Sequence, residues 1–383
     1  MIFDQKDLLA LTHFGENPAE YYNAVVPPIF SNSLHIYETL EDFSKGQYTY
    51  GRVSNPLVEI VESKIAELEH GEKALLFSAG MAAATTAITH ACSSGGHVIC
   101  QNAAYNPIKT FFDRVCVPKH NMELSYVSCV DLDELEGAIK PNTQLIIFES
   151  PSSAVFDIVD IEGIVKIAKK RGIKTYIDNT YCTPLFQKPL DYGVDYSMHT
   201  LSKYLGGHSD LIGGALIVPE NGEEIKRDYR ELYGGIIGPF EAWLVLRGMR
   251  SLPARLAQHQ ETALEAARFL HEHPKVRKVY HPGLPTHPGY DIGKKQMTGY
   301  TGLFSLELDA SVDESVKFCD ALKLFGKGVS WGGFESLVTM PMRRASDAIF
   351  AQFHCGRNLI RLHCGLEGKE NLLEDLAQAL NEL

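Results

Sequence analysis

The chain has 383 residues, 45% hydrophobic and 22% charged, with a formal charge of −12. That balance is an ordinary globular one, long enough for two domains, and its negative field disfavours nucleic acid and anionic membrane as partners. No uninterrupted apolar run reaches the roughly eighteen residues of a transmembrane helix, so no membrane span is expected.

Near the start, Asp4, Lys6 and Asp7 leave no room for the apolar stretch of a signal peptide. Residues 1–50 carry Pro18, Pro27 and Pro28 and little periodicity, yet include the apolar Val25, Val26, Ile29 and Phe30. They read as an arm that packs on a neighbouring subunit. From 51 to 240, short apolar runs alternate with amphipathic segments. The runs 74–77, 97–100, 124–127, 145–148, 175–177, 196–198 and 211–218 read as buried strands of a mostly parallel sheet. Asn55 caps and Pro56 opens a helix that Gly71 follows. Asp160 caps another that closes on Lys169, Lys170, Arg171 and Gly172. The alternation predicts a doubly wound α/β domain. Residues 241–383 differ: a helical run at 253–273, strand candidates at 303–308 and 337–340, and an amphipathic helix at 372–383. They predict a smaller α+β domain, joined through a helix near 240–250.

The eight cysteines are scattered without a CxxC pair and read as reduced thiols of a cytoplasmic protein. His354–Cys355 and His363–Cys364 lack metal-ligand spacing, so no metal is expected.

Three segments carry candidate chemistry. Phe77-Ser78-Ala79-Gly80-Met81 runs from a strand through small residues into a helix, where free amides accept an anion and Gly80 allows close approach; small residues there also serve tight packing. Asp178 ends a buried apolar strand, where open α/β sheets place ligands. A cationic ring nitrogen would keep it ionised, whereas a helix cap or turn is the structural alternative. Lys203 lies between two strands, flanked by Thr200 and Ser202. Lysine forms Schiff bases once deprotonated, although a lone loop lysine is commonly a solvated charge.

Taken in order, these segments and further motifs resemble the Cys/Met-metabolism pyridoxal-phosphate (PLP) enzymes over nearly the whole chain. The matching motifs are Tyr50-Gly51-Arg52, Ser78-Ala79-Gly80-Met81, Glu149-Ser150-Pro151-Ser152, Asp178-Asn179-Thr180, Ser202-Lys203-Tyr204, Gly207-His208-Ser209-Asp210, Leu246-Arg247-Gly248, Ser330-Trp331-Gly332-Gly333 and Leu359-Ile360-Arg361-Leu362. The resemblance implies a fold-type-I PLP enzyme, aspartate-aminotransferase-like, with a smaller C-terminal domain. It implies that Lys203 holds the cofactor and moves protons, and that Asp178 pairs with the pyridine nitrogen. Tyr105 would stack on the ring, and Gly80, Met81, Thr200 and Ser202 would hold the phosphate. Tyr50 and Arg52 would reach that phosphate from a neighbouring subunit, making an obligate dimer, usually doubled to a tetramer. Arg361, assisted by Ser330, would clamp the substrate α-carboxylate; a buried structural ion pair is the alternative for it.

Within that family, Thr49-Tyr50-Gly51-Arg52, Ala104-Tyr105-Asn106-Pro107, residues 329–336 and Ile360-Arg361-Leu362-His363 look like the bacterial cystathionine β-lyase branch. Ser153 stands where much of the family has asparagine, a loss that branch shares. Val53, Thr110 and Val329 depart from it: they stand where β-lyases often carry an arginine, a carboxylate and a tyrosine, and the γ-type enzymes place glutamate at the last. The expectation is a carbon–sulfur lyase acting on a small sulfur-containing amino acid, cystathionine included, with relaxed preference for shorter or less polar cysteine conjugates. Restoring Val53→Arg should tighten cystathionine binding. The alternatives are γ-elimination or γ-replacement and, from another class, an aminotransferase.

Overall fold

The structure, a computed structural model, describes residues 3–383. Seven strands form the larger sheet: β1 Lys73–Phe77, β2 His97–Gln101, β3 Glu123–Val127, β4 Thr143–Glu149, β5 Lys174–Asp178, β6 Tyr196–Thr200 and β7 Gly214–Val218. Their order is β1-β7-β6-β5-β4-β2-β3, and every pairing is parallel except those of β7 with β1 and β6. Alternation along each strand creates two cores. Leu145, Ile147, Val98 and Leu75 face one side with Ala83, Ala87 and Ile88 of helix Gly80–Ala91. Ile146, Phe148, Ile99 and Leu76 face the other, against helices Pro56–Glu69, Ile161–Arg171 and Pro239–Glu272. Strands buried on both faces must be apolar throughout, and each fully buried Leu or Ile contributes about 1.5–3 kcal/mol.

Five further strands, β8 Val276–Tyr280, β9 Leu303–Leu308, β10 Gly326–Lys327, β11 Leu337–Thr339 and β12 Ile360–His363, make a smaller sheet in the order β10-β11-β12-β9-β8. It is antiparallel except at β10–β11. Phe304, Leu306, Ile360 and Leu362 pack with Leu372, Leu376 and Leu380 of helix Lys369–Asn381.

Several sequence expectations change. The helices read at 240–250 and 253–273 are one 34-residue helix, Pro239–Glu272, about 51 Å long. Pro253 lies inside it, where a missing N–H ordinarily breaks a helix. Here both ends are held: Val245, Leu246, Met249 and Leu252 are buried in the larger core, Ala263, Ala266 and Leu270 in the smaller. The apolar run 211–218 pairs only from Gly214, because Gly213 is diverted to the turn around Lys203, giving its carbonyl to Leu201 N–H at 2.9 Å and its N–H to Ser202 Oγ at 3.1 Å. Strand β8 escaped the reading because Arg277 and Lys278 interrupt its apolar pattern and its pairing shifts register between Val276 and Lys278. Helix Gln5–His13 packs on its own chain: Ala10 and Leu11 are buried, and Lys64 Nζ donates to Ala10 O at 3.1 Å. Beyond it Tyr22, Val25, Ile36 and Leu40 are exposed. Among the described residues, no helix is long and apolar enough to cross a membrane, and no cluster of His, Cys, Asp or Glu is placed to hold a metal.

Candidate active site

Strands β2, β4, β5 and β6 are parallel, so their carboxyl ends share one edge, and β1, two reversals away through β7, points the same way. Loops leaving that edge are where an open sheet gathers a ligand. They surround a cavity of about 690 Å³ lined by, among others, Gly80, Met81, Tyr105, Ser153, Asp178, Thr200, Ser202, Lys203, Ser330 and Arg361. Ten of the twelve candidate residues thus converge. Tyr50 and Arg52 do not line the cavity of their own chain: Arg52 Nη1 donates to Glu231 O at 2.7 Å, and its guanidinium lies 5.7 Å from the centroid of the exposed Tyr50 ring. Val53 and Thr110 also lie outside the lining.

Lys203 follows β6 in a tight turn, with its N–H on Thr200 O and its carbonyl accepting from Gly207 N–H at 2.7 Å. The next residue, Tyr204, is buried, and its hydroxyl accepts from Gly302 N–H at 2.9 Å, pinning the turn to the smaller sheet. Gly332 presses on the same turn at φ +84°, and a Cβ there would lie 2.7 Å from Tyr204 N and 2.9 Å from Lys203 C. Lys203 Nζ donates to Ser330 Oγ at 2.7 Å and lies 5.4 Å from the Trp331 ring centroid. Burial, and then the nearby Arg361 cation, lower the Lys203 pKa from 10.5 to about 8 against the opposing pull of Asp178 and Glu335. Its amine is therefore available neutral near physiological pH.

Asp178 and Glu149 end adjacent strands and pair across them. Burial raises both pKa values, Glu149's to about 8 with Asp178's charge adding to the effect. Asp178 Oδ1 accepts from Thr180 N–H at 3.0 Å and from the Thr180 hydroxyl, which favours its charged form. Glu149 accepts from the backbone N–H of Tyr105 and of Ser153, fixing both loops to the strand end. The Tyr105 ring is half exposed in the cavity wall. Arg361 donates to Ser153 O at 3.0 Å and Val329 O at 2.8 Å, and no carboxylate lies within ion-pair distance among the described residues. Burial lowers its pKa to about 10, still charged at neutral pH. A partly buried guanidinium whose donors go to backbone carbonyls can still take a carboxylate, and the ion-pair alternative is not met among the described residues.

The cofactor implied by the resemblance fits these groups. A cationic ring nitrogen answers the buried Asp178 carboxylate. At the start of helix Gly80–Ala91 no side chain caps the amides, which leaves them free for an anion such as a phosphate, and a Cβ on Gly80 would meet Thr200 Oγ1. Glu149, Thr180, Trp331 and Glu335 also line the cavity; sequence reasoning gave them no role. Thr180 alone carried a local signal, since a hydroxyl two residues after an aspartate readily turns back on it.

The model of the family described as Cys/Met metabolism PLP-dependent enzyme matches residues 10–381. An L-alanine/L-glutamate racemase of Wolbachia pipientis wMel is 37% identical, covering 99% of this chain and 98% of that protein. A cystathionine gamma-synthase of Mycobacterium leprae (strain TN) is 36% identical over 96% of this chain and 95% of that one, and a cystathionine beta-lyase of Coxiella burnetii 36% identical over 96% of each. The crystal structure of metB from Corynebacterium glutamicum superimposes with a TM-score of 0.93 at 33% identity, covering 99% of this chain and 98% of that one.

Proposed function

The chain belongs to the Cys/Met metabolism PLP-dependent enzymes, and we propose that within them it is a carbon–sulfur lyase performing β-elimination on cystathionine and related cysteine conjugates. PLP, when bound, supplies an electron sink for charge developing at the substrate α-carbon. Gly80, Met81, Thr200 and Ser202 would hold its phosphate, Asp178 its ring nitrogen, and Tyr105 its ring face. Arg361 binds the substrate α-carboxylate. Lys203 takes the α-proton, the Cβ–S bond breaks, the thiol leaves with its electron pair, and the remaining fragment hydrolyses to pyruvate and ammonia.

The observation that carries this reading is Lys203, the one lysine among the described residues lining the cavity, which donates to Ser330 Oγ at 2.7 Å. β-Elimination needs only the proton that Lys203 takes, whereas γ-chemistry needs a second proton moved at Cβ; the apolar Val329 beside Ser330 departs from both branches and favours neither. The exposed apolar residues between Tyr22 and Tyr50 support a second copy packing on this arm, with Tyr50 and Arg52 reaching the neighbour's cavity. The test is L-cystathionine given to PLP-loaded protein, with products identified by mass spectrometry. Pyruvate with homocysteine is the expected pair; 2-oxobutyrate with cysteine moves the protein to the γ-reactions. The similarity to a racemase favours a second reading, reversible proton transfer at Cα without bond cleavage. Deuterium entering alanine or glutamate from heavy water, with no keto acid formed, would establish it instead.

A further inference from the structure

Residues two apart on a strand share a face. On β12 Ile360 and Leu362 pack into the smaller core, while Arg361 and His363 turn to the other side. Arg361 donates to Val329 O, and the buried His363 reaches the same loop further along. Gly332 N–H donates to His363 Nε2 at 2.9 Å, and the other ring nitrogen, Nδ1, lies 3.0 Å from Glu335 O. An accepting Nε2 carries no hydrogen, so in the neutral ring the hydrogen sits on Nδ1 and is donated to the Glu335 carbonyl. The two halves of the imidazole therefore hold two different points of the loop 329–335.

That loop covers Lys203. Ser330 Oγ accepts from Lys203 Nζ, the Trp331 ring lies beside it, and Gly332 presses on the backbone of the lysine turn. The far end of the loop is tied without His363: Leu366 N–H donates to Phe334 O at 2.7 Å, Ser336 N–H to Glu367 Oε1 at 2.6 Å and Gly365 N–H to Ser336 Oγ at 2.8 Å. Removing the imidazole thus frees the segment Ser330–Gly332 and leaves the rest anchored. Burial, and then the neighbouring His259, hold the His363 pKa well below 6.5, so the ring stays neutral near physiological pH.

We propose that His363 is a positioning residue: its Nδ1–H tautomer holds the segment Ser330–Gly332 against the lysine turn, and so sets the Ser330 hydroxyl and the burial of the Lys203 amine. This rests on the role proposed for Lys203, which β-elimination and reversible proton transfer at Cα share. The charges that face the amine are anchored elsewhere: Arg361 also on Ser153 O, Asp178 on Thr180 N–H, and Glu335 on Ser209 Oγ. Burial is the largest of the influences that lower the Lys203 pKa. A slackened loop admits water to the amine, which replaces the lost hydroxyl contact and lets that pKa rise.

The test compares His363→Leu, which keeps apolar bulk and removes both bonds, with His363→Gln, whose amide offers one acceptor and one donor. In the full chain the pH midpoint of PLP uptake should rise by about half a unit or more in His363→Leu. Pyruvate release from L-cystathionine by the PLP-loaded variant should fall about tenfold or more in kcat, with KM changing less because Arg361 is untouched. His363→Gln should recover most of both. A role in stability alone predicts lower urea midpoints, with the parent's uptake midpoint and kcat per PLP-loaded molecule, and that result overturns the proposal. Hydrogen exchange in the parent needs no variant to fold: the Gly332 amide should be protected, and free exchange there also overturns it. If the parent forms no pyruvate, β-elimination fails, while the uptake midpoint still decides the role of His363.

Discussion

Gly248→Ala tests whether the long helix is fitted to the turn that carries Lys203. Gly248 lies inside helix Pro239–Glu272, where alanine is ordinarily the better residue by about 1 kcal/mol. A Cβ at 248, however, would stand 2.2 Å from Gly206 O and 2.6 Å from Leu205 O. Both contacts are backbone, three and two residues beyond Lys203, so no side chain can swing aside. Relief requires the helix and turn to separate by roughly 1 Å, and overpacking of that kind costs about 1–3 kcal/mol. The clash therefore exceeds the propensity gain at all but the low end of the range, and the net expectation is a loss of up to about 2 kcal/mol. Urea unfolding of the PLP-free chain should show a lower midpoint with an unchanged slope. The shifted turn should also lower kcat/KM about tenfold or more, because a displacement near 1 Å is large for positioned groups. A variant as stable as its parent or more so, with full activity, would refute the close-contact argument.

Three further outcomes follow from the electrostatics and the proposed assembly. In the proposed role of Lys203 its neutral amine captures PLP, so the rate of cofactor uptake by the free chain should rise with pH through about 8. Arg361→Gln removes a cation that helps depress that pKa, so the midpoint should move upward and uptake at pH 7 should slow; a downward or absent shift contradicts the coupling. For Glu149 the folded pKa of about 8 lies above the ordinary 4.5, so the cofactor-free chain should lose stability as pH rises between those values and none further above. Glu149→Gln should abolish that slope in denaturant titrations, its difference from the parent being largest above pH 8 and absent below about 4.5. Finally, Lys203→Ala and Arg52→Ala should each be inactive alone, and refolding the two together should restore activity if sites are shared between subunits; no restoration counts against sharing.

Much of the site was legible because its residues sit at junctions with a local pattern. Gly80 follows a strand and opens a helix, Asp178 closes an apolar run, and Lys203 is flanked by hydroxyls, so each announces a loop at the end of a buried strand. What the pattern could not announce was adjacency. Glu149 and Asp178 are 29 positions apart in the chain, and only the pairing of β4 with β5 sets their carboxylates side by side and raises both pKa values.

The sequence by itself determined most of the element types, the doubly wound character of the larger sheet, and ten of the residues lining the cavity, because periodicity and chain order are local quantities. Only the tertiary structure decided that Pro239–Glu272 runs unbroken through Pro253, since burial in two cores outweighs the local defect. It alone decided that Arg361 holds backbone carbonyls rather than a carboxylate, and that Tyr50 and Arg52 lie outside their own chain's cavity.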